Sequence, residues 1–445
     1  MFDIYKKQLL IAATLFLNSA ALSATENHTY NLQQAIDHAL THNPNLQIMQ
    51  DRIAQAETQL SIALSRFYPN IKTRLSYEHS TNPSRAFGMI IAQRRLNFSP
   101  SVDFNNPGGT DNYRPEVTAS YSLFRGGQDY FQSKSAELGI EAATLEKKAT
   151  HNQLIQAVSS TFYAYLAAIE ADKISNRSIE AVENELKQSR IRYEAGSVLR
   201  SDVLSLEVQL AEAQDTKIQT LNAIELAKTG LQSLLGISTH ELFKIDQSND
   251  WLLPQANSSF DDLLNLAMAQ RPEILTANKR IEIAQQQLNA ARGAYLPKAD
   301  AYVSYGSDSK NLDFNTNRDN VTAGVTVEMD IFSGFAHKAK VKKAEQQLAI
   351  SKKSAKQTQL QIENAVKTAH LKLLEALARF KVTSASVKAA EEAFRLVNEQ
   401  RKAGTATITR YIEAKVARDQ SHARNIAARF DALRAETDLN QAIGS

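Results

Sequence analysis

Residues able to do chemistry are sparse in this chain, and none is spaced for catalysis. His38 and His42 stand four apart, so one helix face would present both imidazoles to a metal ion. A third ligand at suitable spacing is missing, and a solvated histidine pair is the competing reading. There is no glycine-rich phosphate loop, no Cys/His set with zinc spacing and no nucleophile elbow. With no cysteine in the sequence, neither a lipid-bearing thiol nor a disulfide can form. Lys338, Lys340, Lys342, Lys343, Lys352 and Lys353 read as a solvated helix face. A net charge of +3 supplies no concentrated basic face for nucleic acid. No enzyme, cofactor or metal is expected.

The elements that would have to position any site are laid out on a repeated ruler. Pro44 and Pro69 recur 228 residues later as Pro272 and Pro297. Phe124, Gly126, Gly196 and Gly236 recur 208 residues later as Phe332, Gly334, Gly404 and Gly444, so one half carries 20 extra residues between Pro69 and Phe124. Constant spacing around one elastic loop marks duplicated structure. Only nine prolines and 15 glycines interrupt 445 residues, which favours long helices.

Residues 1–24 read as a secretory signal: Lys6 and Lys7, the apolar run from Leu9 to Leu17, then small residues to Ala24. A retained anchor is the alternative, but the run is short for a bilayer-spanning helix. No later stretch is apolar enough to span as a helix, so a membrane position would have to rest on β-strands.

Apolar spacing predicts helices over 31–67 and 259–295, each interrupted early, at Asn43-Pro44 or Arg271-Pro272. Each is halted where a large residue precedes proline, at Tyr68-Pro69 and Leu296-Pro297. The period then changes to two, predicting strands over about 69–79, 113–124, 297–306 and 320–332, each with one apolar face. Loops of roughly 80–112 and 307–320 join the paired strands, and the first absorbs the extra residues. Aromatics crowd the strand ends, among them Tyr68, Tyr77, Tyr113, Phe124, Tyr295 and Phe332, as in the girdles of an outer-membrane barrel. A soluble sandwich with an aromatic core is the alternative. Proline-free segments 125–195 and 333–403 carry three-four spacing (Leu138, Ala142, Leu145, Ala149; Ile362, Val366, Ala369, Leu373) and predict long coiled-coil helices. Gly196 and Gly404 end them, and return helices over 197–236 and 405–444 follow. Residues 237–258 join the halves without a clear period and are expected outside the columns at mid-height.

The fold class that emerges is mainly α with a small β part: duplicated long coiled-coil hairpins, four strands per chain. Four strands cannot close a barrel in lipid, so several copies must share one. This ordered set resembles the TolC-type outer membrane efflux proteins over nearly the whole mature chain. The resemblance rests on the duplication, the joints Leu123-Phe124-Arg125-Gly126 and Ile331-Phe332-Ser333-Gly334, and the tips. These read Arg192-Tyr193-Glu194-Ala195-Gly196 followed by Asp202-Val203-Leu204, and Arg401-Lys402-Ala403-Gly404-Thr405. It implies a homotrimer in the outer membrane whose 12-stranded β-barrel continues into a 12-helix α-barrel tunnel in the periplasm. It further implies docking on a periplasmic adaptor and an inner-membrane pump, and export of drugs, toxins or proteins.

In that family acidic residues and salt bridges near the tips hold the entrance closed. By position Asp202 and Glu413 match such acidic residues, whereas Arg410 stands where an acid is common, and a latch between Arg410 and Asp202 of an adjacent column is expected. Solvated tip charges are the alternative. Gly196, Ser197, Val198, Leu199, Gly404, Thr405 and Ile408 are the expected docking residues, although a tight turn needs glycine for its backbone alone. A periplasmic adaptor or a structural coiled-coil protein stays open as another function. Neither accounts for strands at fixed positions in both halves.

Overall fold

The computed structural model describes residues 28–98, 103, 105–247, 251–256 and 258–445. The signal segment expected at 1–24 lies outside the described residues. The elements run, in chain order, β1 (His28–Tyr30), α1 (Leu32–His42), α2 (Pro44–Leu64), β2 (Asn70–Ser80), α3 (Pro83–Ala92), β3 (Thr110–Arg125), α4 (Gln128–Glu194), α5 (Arg200–Leu235), β4 (Phe243–Ile245), α6 (Phe260–Gln270), α7 (Pro272–Arg292), β5 (Lys298–Ser307), β6 (Asp319–Glu328), α8 (Ala336–Lys402) and α9 (Ile408–Ile443).

The duplication is carried through to the residue. α1 and α6 are both 11 residues, α2 and α7 both 21, α4 and α8 both 67, and α5 and α9 both 36. Proline at the first position of α2 and α7 sets each helix break, since its missing N–H would be unpaired there anyway. Asn43 and Arg271, just before those prolines, are buried and bind the end of a return helix. Asn43 Nδ2 donates to the Leu234 carbonyl at 2.8 Å, and Arg271 Nη1 donates to the carbonyls of Gln441 and Ala442 at 3.0 Å each.

The long helices start at Gln128 and Ala336, three residues after the expected 125 and 333. Paired left-handed residues make the joint: Gly126 and Gly127 in half one, Gly334 and Phe335 in half two. At Gly126 a side chain would also drive into the Gly293 carbonyl. In half two β6 ends at Glu328, and Met329 and Ile331 stand exposed beyond it.

Two compact units result. Among the described residues, one comprises 28–48 with Lys148–Arg271 and Ile362–Ser445; the other comprises Met49–Lys147 and Pro272–Gln361. In the first unit β1 pairs in parallel with β4, three-residue strands that carry no readable period. They cover a core in which Phe162, Leu231 and Leu235 are fully buried. Trp251 stands edge-on to Phe162 and Tyr163 at 6.0 and 5.4 Å, and its carbonyl accepts from Arg429. In the second unit β2, β3, β5 and β6 form one antiparallel sheet in that order, so β2 and β6 are its edges.

Candidate functional sites

The sheet is inside-out. Its odd-numbered residues form an apolar face left open to the surroundings: Ile71 is 71% exposed, and Leu75, Val117, Val303, Val321, Val325 and Val327 are exposed as well. Along the middle of the strands the even-numbered residues carry the charge, with Arg74 opposite Glu116 and Glu78 opposite Asn112. His79, Asp111 and Asp319 at the strand ends depart from this, and a bulge after Ser122 brings Arg125 opposite Lys298. Arg114 lies flat across Gly306, where a side chain would meet its guanidinium at 3.0 Å. From there it donates to Glu116 (2.9 Å), Asp308 (2.6 Å) and Asn320 (3.1 Å). Tyr302 lies over Gly324 in the same manner, an aromatic side chain covering a strand glycine. A soluble sheet buries its apolar face. This one offers that face, together with two unpaired edges, to an apolar solvent.

The second site lies at the tips of the helical hairpins, in the first unit. Both long helices stop alike: Gly196 and Gly404 adopt φ of +72° and +78°. The next residue, Ser197 or Thr405, returns its amide to the Arg192 or Gln400 carbonyl at 2.8 or 2.9 Å, and its hydroxyl donates to the same oxygen. This is a Schellman stop with an added side-chain bond. The starts of the return helices differ. Leu199 caps α5 without a side-chain acceptor, and Asp202 reaches back to the Leu199 amide at 3.4 Å. In α9 the Thr407 hydroxyl accepts from the Arg410 amide at 3.3 Å, and the Arg410 side chain pairs with Glu413 at 3.4 Å, both side chains well exposed.

Behind the tips all four helices share one core: Val182 and Leu186 of α4, Val203 and Leu206 of α5, Val397 of α8, and Ile408 and Tyr411 of α9. Ile408, expected on the docking surface, is therefore corrected to a core residue. It is 3% exposed, because the first residue of α9 turns inward behind its threonine cap. Leu199 is 69% exposed, Val198 is half-buried, and Gly196, Ser197, Gly404 and Thr405 are exposed. Asp202 and Arg410 form no ion pair within the chain.

Sequence reasoning missed the buried charges. Arg401 and Glu185 face each other at 3.2 Å across the hairpins, and both are largely buried. Lys415, 1% exposed, donates to Ser178 Oγ of α4 at 2.6 Å and to Asp419 at 2.7 Å, while Arg418 also binds Asp419. Burial draws the Asp419 carboxyl upward, but the hydrogen bonds and charges of Lys415 and Arg418 outweigh it and hold the group below its ordinary value. Burial pushes the Tyr411 hydroxyl up to about 12. His38 and His42 stack on each other with centroids 4.1 Å apart, and among the described residues no group of three possible metal ligands includes them. No helix among the described residues is long and apolar enough to cross a membrane.

An inverted antiparallel sheet joined to long helical hairpins defines a subunit of an outer membrane channel whose helical part lies in the periplasm. The family model for outer membrane efflux proteins matches residues 35–237 and 263–445, and the chain belongs to that family. It is similar to the outer membrane efflux protein BepC of Brucella suis, 24% identical over 338 residues that cover 68% of this chain and 71% of BepC. It is likewise similar to the outer membrane protein TolC of Vibrio cholerae, 20% identical over 374 residues covering 81% and 85% of the two chains. Its fold matches the crystal structure of the Campylobacter jejuni CmeC outer membrane channel with a TM-score of 0.80 at 15% identity, over 93% of this chain and 85% of that one.

Proposed function

We propose that the chain is the passive outer membrane conduit of a tripartite efflux or secretion system, with no catalytic role. The inverted sheet carries this reading. Its apolar face suits lipid, its charged face suits a water-filled lumen, and its two edges need partners, because an unpaired edge in hydrocarbon costs several kcal/mol per backbone group. Three copies would supply 12 strands to one barrel and 12 helical columns to one tunnel. A periplasmic adaptor would dock on Gly196, Ser197, Val198, Leu199, Gly404 and Thr405. The adaptor would join an inner-membrane pump that selects the cargo. Heat-resistant trimers in the outer membrane fraction are expected, and a soluble periplasmic monomer would refute the conduit.

The periplasmic gate is assigned to Asp202, Arg410 and Glu413. In a single chain Arg410 is occupied by Glu413, an exposed pair worth about 0–1 kcal/mol. Exchange of that partner for Asp202 of an adjacent column costs little, and this supports a latch that can be released. Single-channel conductance should rise in Asp202→Ala and in Arg410→Ala; unchanged conductance in both would leave the tip charges merely solvated. A bulky residue at Ser197 or Thr405 should abolish export while trimers persist.

A further inference from the structure

The extra residues of half one are not a slack loop. They fold into α3, which starts behind an Asn82 cap with Pro83 at its first position, and whose buried stripe, Ala86, Met89 and Gln93, packs on β3. Both ends of α3 are tied to the charged face of the sheet. At its start Arg85 binds Glu78 of β2. At its end the Gln93 side chain, 1% exposed, donates to the Asp111 carbonyl at 2.7 Å and to Asn112 Oδ1 at 2.9 Å. Asn112 in turn donates to Asp308, which also accepts from Arg114 and Asn320. Glu78, Asn112 and Arg114 belong to the even-numbered face, and Asp308, just past the end of β5, accepts from two of them, so the helix lies across that face and leaves the apolar one bare.

Arg94 fixes the helix to the other strand pair. It adopts φ of +52°, a left-handed conformation rare for a residue with a side chain. Its amide and that of Arg95 close a Schellman stop on Ile91 and Ile90. Held there, its guanidinium donates to the carbonyls of Asn317 (2.5 Å), in the loop before β6, and of Asp319 (3.0 Å), the first residue of β6. Glycine would satisfy the backbone more easily. The strain is retained where the side chain bridges the two hairpins.

We infer that α3 is the exit constriction of the conduit: a helical lid laid over the lumen face at the strand ends away from the helices, positioned by Arg85, Gln93 and Arg94, and limiting the size of what leaves. Rather than any contact with a receptor, the element sets a width. Because α3 covers the charged face in every copy, a closed barrel would carry one such helix per subunit at its outer mouth. This inference rests on the conduit reading, in which the charged face lines the lumen.

The protein has no cysteine, which permits a test independent of the periplasmic gate. Thr118→Cys places a thiol on the charged face below α3, and Val117→Cys places one on the apolar face. Intact cells are treated from outside with a small thiosulfonate or with a bulky PEG-maleimide. The small reagent should label Thr118→Cys whether or not α3 is pinned. The bulky one should label it about tenfold faster when Gln93→Ala and Arg94→Gly remove the four hydrogen bonds that these side chains donate outside α3. Arg94→Gly keeps the helix stop, so the variant folds, and a chain with 83–95 replaced by a short Gly/Ser linker should label fastest. Equal PEG-maleimide rates in all three backgrounds would overturn the lid. Labelling of Val117→Cys but not Thr118→Cys by the small reagent would instead overturn the conduit's orientation, and the lid with it.

Discussion

In half one the return helix α5 begins behind a leucine that offers no cap oxygen, and Asp202 only reaches back to accept from the Leu199 amide; in half two Thr407 supplies its own oxygen to the Arg410 amide, and the Arg410 side chain faces Glu413. The same positions diverge again two turns on. Glu207 of α5 is a solvated partner of Arg190, 42% exposed, whereas its counterpart Lys415 is 1% exposed and reaches across to α4. At this pair of positions half one keeps its charge in solvent and half two buries it. Identical turns and identical helix lengths thus carry unlike polar contents, and α9 of half two is the helix whose movement would disturb both hairpins.

The sharpest way to break this comparison is Asp419→Ala, which leaves Lys415 buried without its carboxylate. Local stability of the opening turns of α9 should fall by about 3–5 kcal/mol, seen as loss of hydrogen-exchange protection there and not in α5. Acid should act in the same direction. The Asp419 carboxyl is held below its ordinary value of 3.8, so its contribution is complete above that value and is lost as pH falls through the lowered one. Protection in α9 should then fail at a higher pH than in α5; simultaneous loss would count against an internal charge cluster in one half only. Next in size, Thr407→Ala should cost about 1 kcal/mol at the start of α9, whereas Leu199→Ala removes no cap. Asp202→Arg should destabilise the start of α5 by roughly 0.5–1 kcal/mol, and Leu199→Thr in the same chain should restore it. Failure of that rescue would separate the capping account from the sequence difference. Smallest, Glu207→Ala should change stability by no more than about 0.5 kcal/mol by the same exchange measurement.

Much of the fold was legible because backbone punctuation is written in proline and glycine. Pro44, Pro272, Gly196, Gly404 and their spacing mark helix ends by sterics alone, and two-residue alternation marks strands whatever their neighbours. Elements below the length of a period were not legible: β1 and β4 are three residues each and exist through pairing between distant segments. α3 had a usable signal, an asparagine cap followed by proline, but ten residues among Asn, Ser and Pro read as loop. Tip burial was the least legible. Lys415 looks solvated to any periodicity argument, since only the packing of α4 against it supplies Ser178 and a charge-bearing interior. Ile408 looked like a surface residue for the opposite reason: next to a glycine turn, nothing in the sequence says which way the first helical side chain points.

The inverted sheet also dictates an order of events. The unit with Phe162, Leu231 and Leu235 at its centre owns a core and can settle in water by itself. The strands cannot, for a lone chain in transit carries a greasy panel with two raw margins, the form that recruits unrelated strands and aggregates. On the conduit reading proposed above, their completion is tied to the arrival of sister chains and lipid. Biogenesis of this protein is therefore a race between assembly and misassociation, and any escort that shields 70–80 and 319–328 during the crossing decides its yield.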